Sequence, residues 1–118
     1  MAQQRYQGGC HCGVVRYEVS ADLDHTITCN CSRCSKLGWI LTFTPAGQFR
    51  LLSGEDKLTD YLFNKHAIHH LFCSVCGVES FARGKKEDGT EIIAVNARCL
   101  DDVDVASLAP KAVDGRRL

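Results

Sequence analysis

No sign of charge prevails in this sequence: 14 lysines and arginines balance 14 aspartates and glutamates over 118 residues. A neutral chain without a basic stripe has no electrostatic footprint for nucleic acid or an anionic membrane surface. Lys85-Lys86 and Arg116-Arg117 are its only adjacent basic pairs, and both read as solvated tips. No apolar run approaches the roughly 20 residues that a transmembrane helix needs. The residues after Met1, Ala2 to Gln7, are polar, so no apolar leader is expected there. Helix-length periodic runs are few, and internal repeats and low-complexity stretches are missing. The expectation is one domain over residues 1–118, with no nucleic-acid or membrane partner and a cytoplasmic location. Hydrophobic residues at 45% and charged residues at 24% are ordinary for a globular protein.

What the sequence does have is cysteine, eight of them. Cys10-His11-Cys12 comes first. Cys29-Asn30-Cys31-Ser32-Arg33-Cys34 packs three thiols into six residues, and Cys73-Ser74-Val75-Cys76 follows. Cys99 stands alone. Eight cysteines in a secreted chain would suggest four disulfides, but C-x-C pairs suit a metal better than a bridge network. The thiols are therefore read as reduced or metallated. Structural zinc is almost always held by four protein ligands, and catalytic zinc commonly by three with one position open. The outer pairs, Cys10, Cys12, Cys73 and Cys76, supply four sulfurs. Cys29, Cys31 and Cys34 supply three. Counting alone predicts two zinc ions, one structural and one catalytic.

The rest of the chain reads as short strands. Val15, Tyr17 and Val19 alternate with Arg16 and Glu18, the pattern of a half-buried strand. Gly8 to Gly13 is a glycine-bracketed turn. His25 to Thr28 is a short strand delivering Cys29, and Ser35 to Gly38 a loop or single helical turn. Trp39 to Thr44 is rich in aromatic and β-branched residues and reads as a strand ended by Pro45. Further strands are expected over Gln48–Leu52, Lys57–Phe63 and Ala67–Phe72, with a turn at Asn64-Lys65. Glu79–Arg83 and Glu91–Asn96 form a hairpin across a polar loop with glycine at both ends, Gly84 to Gly89. One helical turn is expected at Val105–Leu108. Short strands at such spacing predict an all-β domain.

Several residues carry two readings. Cys99 is either a fourth ligand that closes the central site or a buried thiol acting as a small hydrophobe. His69 lies about 13 Å along a regular strand from Cys73, too far to share its metal. His69 or His70 either reaches the central site from a neighbouring strand or is a satisfied structural histidine. His11, between two ligands, should point away from the metal, and His25 and His66 carry no signal. Arg33 either pairs with an anionic substrate group, offsets the charge of the thiolate cluster, or is solvated. Trp39 and Phe43 read as core.

The motifs Gly9-Cys10-His11-Cys12-Gly13, Cys29 to Cys34, His70 to Gly77 and Asn96 to Asp101 resemble the glutathione-dependent formaldehyde-activating enzyme family, which shares its domain with centromere protein V. The resemblance runs from about Gly8 to Asp104. It implies a Mss4-like, all-β fold of short antiparallel strands. It also implies a structural zinc at Cys10, Cys12, Cys73 and Cys76 and a catalytic zinc at Cys29, Cys31 and Cys34. The implied reaction is carbon–sulfur lyase chemistry on a thiol adduct, joining glutathione to formaldehyde as S-hydroxymethylglutathione. In enzymes of that type the triplet tends to read C-H-C-x-x-C-R-K. Here Asn30 takes the place of the histidine, and Ser35-Lys36-Leu37-Gly38 follows the triplet. The alternative is a non-catalytic, zinc-stabilised module that binds a protein partner.

Overall fold

The computed structural model describes residues 3–63 and 67–117. The expected turn at Asn64-Lys65, and His66, lie outside the described residues. The strands are β1 (Gln4–Gly9), β2 (Arg16–Ala21), β3 (Ile27–Cys29), β4 (Leu41–Pro45), β5 (Phe49–Ser53), β6 (Leu58–Tyr61), β7 (His69–Cys73), β8 (Phe81–Lys85), β9 (Glu91–Asn96) and β10 (Lys111–Val113). A single-turn helix, α1 (Cys34–Leu37), and several 3-10 turns complete the described elements. Three strands form a small sheet in the order β1-β2-β5, and seven form a large one, β10-β3-β4-β9-β8-β7-β6. The architecture is all-β, as expected.

Alternation in β2 fixes which way the small sheet faces. Val15, Tyr17 and Val19 are buried, while Arg16 and Glu18 are partly exposed. Tyr17 and Phe49 of the small sheet meet Phe81 of the large one, at ring-centroid distances of 5.7 Å for Tyr17–Phe81 and 4.7 Å for Phe49–Phe81. The Tyr17 hydroxyl enters this core because it donates to the Ser80 carbonyl at 3.0 Å; an unpartnered buried hydroxyl would cost about 1–3 kcal/mol. Ile93, Val95, Leu100 and Cys73 join the same core.

The large sheet has a second, smaller core on its other face. In β8 and β9, Phe81, Ile93 and Val95 point to the main core, whereas Ala82 and Ala94 pack with Cys34, Trp39 and Leu41. Successive side chains of a strand face opposite sides, so the alanine pair, in register across the hairpin, leaves room there for the bulk of Trp39. The large sheet thus separates the two cores.

Beyond strand ends shifted by one or two residues, four features differ from the sequence reading. β1 was not expected: its sequence Gln4 to Gly9 is polar and glycine-rich because it is an edge strand, largely exposed until Gly8. β10 was not expected either, and it pairs with β3 in parallel, so the strands are not uniformly antiparallel. Gly84 and Lys85 continue β8 rather than opening the loop. Phe43 is 47% exposed rather than core. Its register partner is Ala94, so it shares the face of the smaller core but lies beyond its cover. Trp39 is buried, as expected.

Candidate metal centres

Cys10 follows the end of β1 and Cys12 lies in the turn to β2, while Cys73 ends β7 and Cys76 lies in the turn beyond it. The four sulfurs all lie within 4.8 Å of one another. Cys10 Sγ is 3.6 Å from Cys12 Sγ, which is 3.7 Å from Cys73 Sγ. A tetrahedron with zinc–sulfur bonds of about 2.3 Å has edges of about 3.8 Å, so these spacings fit zinc. The two turns are built alike. Each second cysteine is followed by a glycine in the left-handed region, Gly13 at φ 85° and Gly77 at φ 81°, where other residues are strained. Backbone N–H groups point at the sulfurs: Val15 N–H donates to Cys10 Sγ at 3.4 Å, and Val75 and Cys76 N–H donate to Cys73 Sγ at 3.4 and 3.5 Å. Backbone N–H groups at Val78 and Cys12 pull Cys76 down to about 6. Cys12 goes the other way, pushed up to about 11 against the Val14 N–H by desolvation and its sulfur neighbours, so a cation that binds here must displace protons.

Cys29, Cys31 and Cys34 form the second group, again with all sulfurs within 4.8 Å. Cys29 ends β3 and Cys34 opens α1, and the short loop between them folds the three thiols inward. Cys34 N–H donates to Cys31 Sγ at 3.4 Å, and the buried Trp39 indole N–H donates to Cys34 Sγ at 3.3 Å. Burial, with Cys31 beside it, pushes the Cys34 thiol up to about 12 against the pull of that indole. A metal must displace this proton to bind. Two of the three sulfurs accept from N–H donors, and three soft sulfurs this close fit zinc, for which these residues would be the protein ligands.

Cys99 joins neither group. Its thiol points to the Glu79 carbonyl at 3.9 Å, and burial pushes it up to about 11. The thiol is partly buried and lies outside both groups, which favours the small-hydrophobe reading over that of a ligand. His11 is exposed. His25 sits beside Asp22 at the surface, and His69 pairs with Asp60 at 2.6 Å. His70 is buried, with Nδ1 3.4 Å from a Glu79 carboxylate oxygen. Its ring lies 6.4 Å from the Trp39 ring and 5.2 Å from Phe63. Trp39 thus neighbours both His70 and Cys34 of the triplet, and His70 is not among the groups gathered there.

Glu79 was not singled out from the sequence. Its side chain is 1% exposed, and it binds the Arg33 guanidinium. That guanidinium also lies 4.6 Å over the Tyr61 ring, a cation–π contact. A buried carboxylate between an arginine inside the triplet and a buried histidine is a costly arrangement unless paired. Its effect is to hold Arg33 in one place. Beside it opens a cleft of about 390 Å³, lined by Ser32, Arg33, Lys36, Leu37, Tyr61 and Phe63. Nothing in the spacing of Glu79 or Tyr61 could have announced this, because Glu79 lies just before β8 and Tyr61 ends β6, both far from the triplet in sequence.

Comparison with known proteins agrees with this fold. A solved Rhodobacter sphaeroides protein superposes with a TM-score of 0.80 at 29% identity, covering 90% of this chain and 97% of its own. A Talaromyces marneffei protein, provisionally named for glutathione-dependent formaldehyde activation, is 33% identical over 94 residues, 72% of this chain. The chain spans 50% of the length of that relative. Among the described residues, no helix is long and apolar enough to cross a membrane. The family profile described as glutathione-dependent formaldehyde-activating enzyme matches residues 5–114. With that match over nearly its whole length, the chain belongs to the glutathione-dependent formaldehyde-activating enzyme family.

Proposed function

We propose that the chain is a zinc-dependent carbon–sulfur lyase of the S-(hydroxymethyl)glutathione synthase type, built as a single domain over residues 1–118. In this reading Cys10, Cys12, Cys73 and Cys76 hold a structural zinc, and Cys29, Cys31 and Cys34 hold a catalytic one. The carrying observation is the asymmetry of the two groups. Four sulfurs complete one, whereas the other has three, with no further histidine, cysteine or carboxylate joined to it among the described residues. A zinc ion at the triplet supplies a position where a substrate thiol is bound and its pKa lowered.

The reaction needs little else. The thiol sulfur forms a bond to the aldehyde carbon, the carbonyl π pair moves to its oxygen, and the thiol proton ends on that oxygen. Nothing is oxidised or reduced. The chain's own residues position and enclose. Trp39 fixes Cys34, and Glu79 fixes Arg33 at the wall of the cleft. Arg33 and Lys36 offer cationic groups to the carboxylates of a glutathione-like thiol, the guanidinium fork matching a carboxylate well. A volume of about 390 Å³ lies at the small end of ligand sites, which run from roughly 300 to 1,000 Å³. Zinc–thiolate sites and reduced thiols accord with a cytoplasmic location.

The test is elemental analysis with a glutathione titration followed on cobalt-substituted protein. The expected result is two metals per chain, with thiol–metal charge-transfer bands at one site changing as glutathione binds. Two metals, neither responding to glutathione, would replace the enzyme with the zinc-stabilised binding module.

A further inference from the structure

The segment after Pro110 lies against the triplet. β10 pairs with β3 so that Val113 sits opposite Cys29. Beyond it, Gly115 is packed so closely that a Cβ there would overlap the Cys29 sulfur and come within 3.5 Å of Cys31 Cβ. Gly115 has no left-handed φ, so the glycine is needed for space and not for its dihedral. A bare backbone therefore occupies the Cys29 side of the sulfur group.

Asn30, the residue between two of the thiols, fastens that backbone. Its N–H donates to the Val113 carbonyl at 3.3 Å. Its side-chain amide donates to Asp114 Oδ1 at 3.0 Å and accepts from the Arg116 N–H at 3.0 Å. Arg116 Nε donates back to the Asn30 carbonyl at 3.2 Å. One partner is a carboxylate and the other an N–H, so the amide can face only one way. Four hydrogen bonds between one exposed residue and a segment 83–86 positions away exceed what a loop asparagine needs for its own turn.

We propose that residues 113–116 are a specificity-determining wall of the triplet's site and that Asn30 is the positioning residue that holds the wall in place. The wall closes the Cys29 side to bulky ligands and leaves the cleft beside Arg33 and Tyr61 as the route to the sulfurs. The proposal rests on reading the triplet as a metal site open to a thiol. It predicts more than that reading does, because it names a segment on β10 that shapes access.

The test uses the zinc-loaded protein and the bulky chromogenic chelator 4-(2-pyridylazo)resorcinol. Asn30→Asp sets two carboxylates against each other at residue 114 and should free the wall. The double variant Asn30→Asp/Asp114→Asn restores one donor and one acceptor and should refasten it. The fast phase of zinc transfer, from the triplet, should accelerate at least tenfold in Asn30→Asp and return to within twofold of the parent in the double variant. The slow phase, from the four-sulfur site, should be the same in all three. Gly115→Ala, whose Cβ must push the segment away, should match Asn30→Asp. An unchanged fast phase in Asn30→Asp, acceleration of both phases together, or a double variant that stays fast would each overturn the wall. If the parent carries no metal at the triplet, the proposed function falls by itself. The wall is then read from alkylation of Cys29, followed by mass spectrometry. A dye-sized maleimide should lag iodoacetamide by at least tenfold more in the parent than in Asn30→Asp, and an equal lag in both would overturn the wall.

Discussion

The two sulfur groups use the same ligand type and do different things to the chain. Cys12 and Cys73, 61 positions apart, bring the turn of the small sheet to the end of β7 in the large one. The four-sulfur group thus ties the two sheets beside the main core, of which Cys10 and Cys73 are members. The triplet spans six residues and sits on the other face of the large sheet, against the smaller core of Trp39, Leu41 and Ala82. A metal in the first group constrains the fold. A metal in the second constrains one loop. The difference teaches that the role of a metal site is set by the length of chain it closes and by what it packs against, as much as by its ligands.

The sharpest way to break this comparison is to remove one sulfur from each group. Structural zinc binding is worth on the order of 10 kcal/mol of apparent folding free energy, against a net domain stability of about 5–15 kcal/mol. Cys76→Ala should therefore unfold or aggregate, as read by circular dichroism and size-exclusion chromatography. Cys34→Ala should stay folded, keep one zinc per chain, and lose thiol binding and turnover. Should Cys34→Ala collapse as severely as Cys76→Ala, the triplet is structural as well and the two groups do not differ in kind.

An intermediate effect is expected at Glu79. Breaking a fully buried ion pair costs about 3–5 kcal/mol. Arg33 keeps 21% exposure, so Glu79→Gln should cost somewhat less, about 2–4 kcal/mol. That corresponds to a fall in Tm of about 10 °C. Both zincs should remain, while the affinity for a carboxylate-bearing thiol falls more than that for 2-mercaptoethanol, because Arg33 loses its fixed place. Equal losses for the two thiols would remove Arg33 from ligand recognition and leave the Glu79 pair purely structural.

These sites differ in how far they were legible before the fold was known. The triplet is local, so its three thiols meet whatever the rest of the chain does, and spacing sufficed. The four-sulfur group was legible because two tight cysteine pairs with knuckle glycines leave few other partners. Tyr17 was placed in the core by strict alternation in β2. Pairings across long separations left no such mark. β10 is three residues long and carries no period, and its parallel partner β3 is more than eighty residues away. Glu79 sits between Val78 and Ser80, where nothing in sequence distinguishes a buried carboxylate from a surface one. Phe43 obeyed the strand pattern, yet the smaller core ends before reaching it.

The smallest effect is expected at Cys99, and it bears most directly on whether the triplet is open. Its thiol lies near the Glu79 carbonyl and outside both groups, so Cys99→Ser should keep both zincs. The shorter side chain leaves a small void, while the hydroxyl retains an acceptor in that carbonyl. A cost of about 1 kcal/mol follows, the centre of the range for single substitutions. The same environment sets its reactivity. Burial first, then the nearby Cys10, Cys76 and Glu79, push the thiol up to about 11. A thiol with a raised pKa keeps its proton below that value, and only the thiolate is nucleophilic. At pH 8, Cys99 should therefore alkylate about a hundredfold more slowly than a free thiol, gaining about tenfold per pH unit until near 11. Residue-resolved mass spectrometry of iodoacetamide-treated protein measures this. Rapid alkylation at pH 8 would place Cys99 in an open, thiolate-stabilising setting. Release of one zinc equivalent by Cys99→Ser would make it the fourth ligand of the triplet. That release would give the two sulfur groups the same closed form and remove the open position on which thiol binding depends.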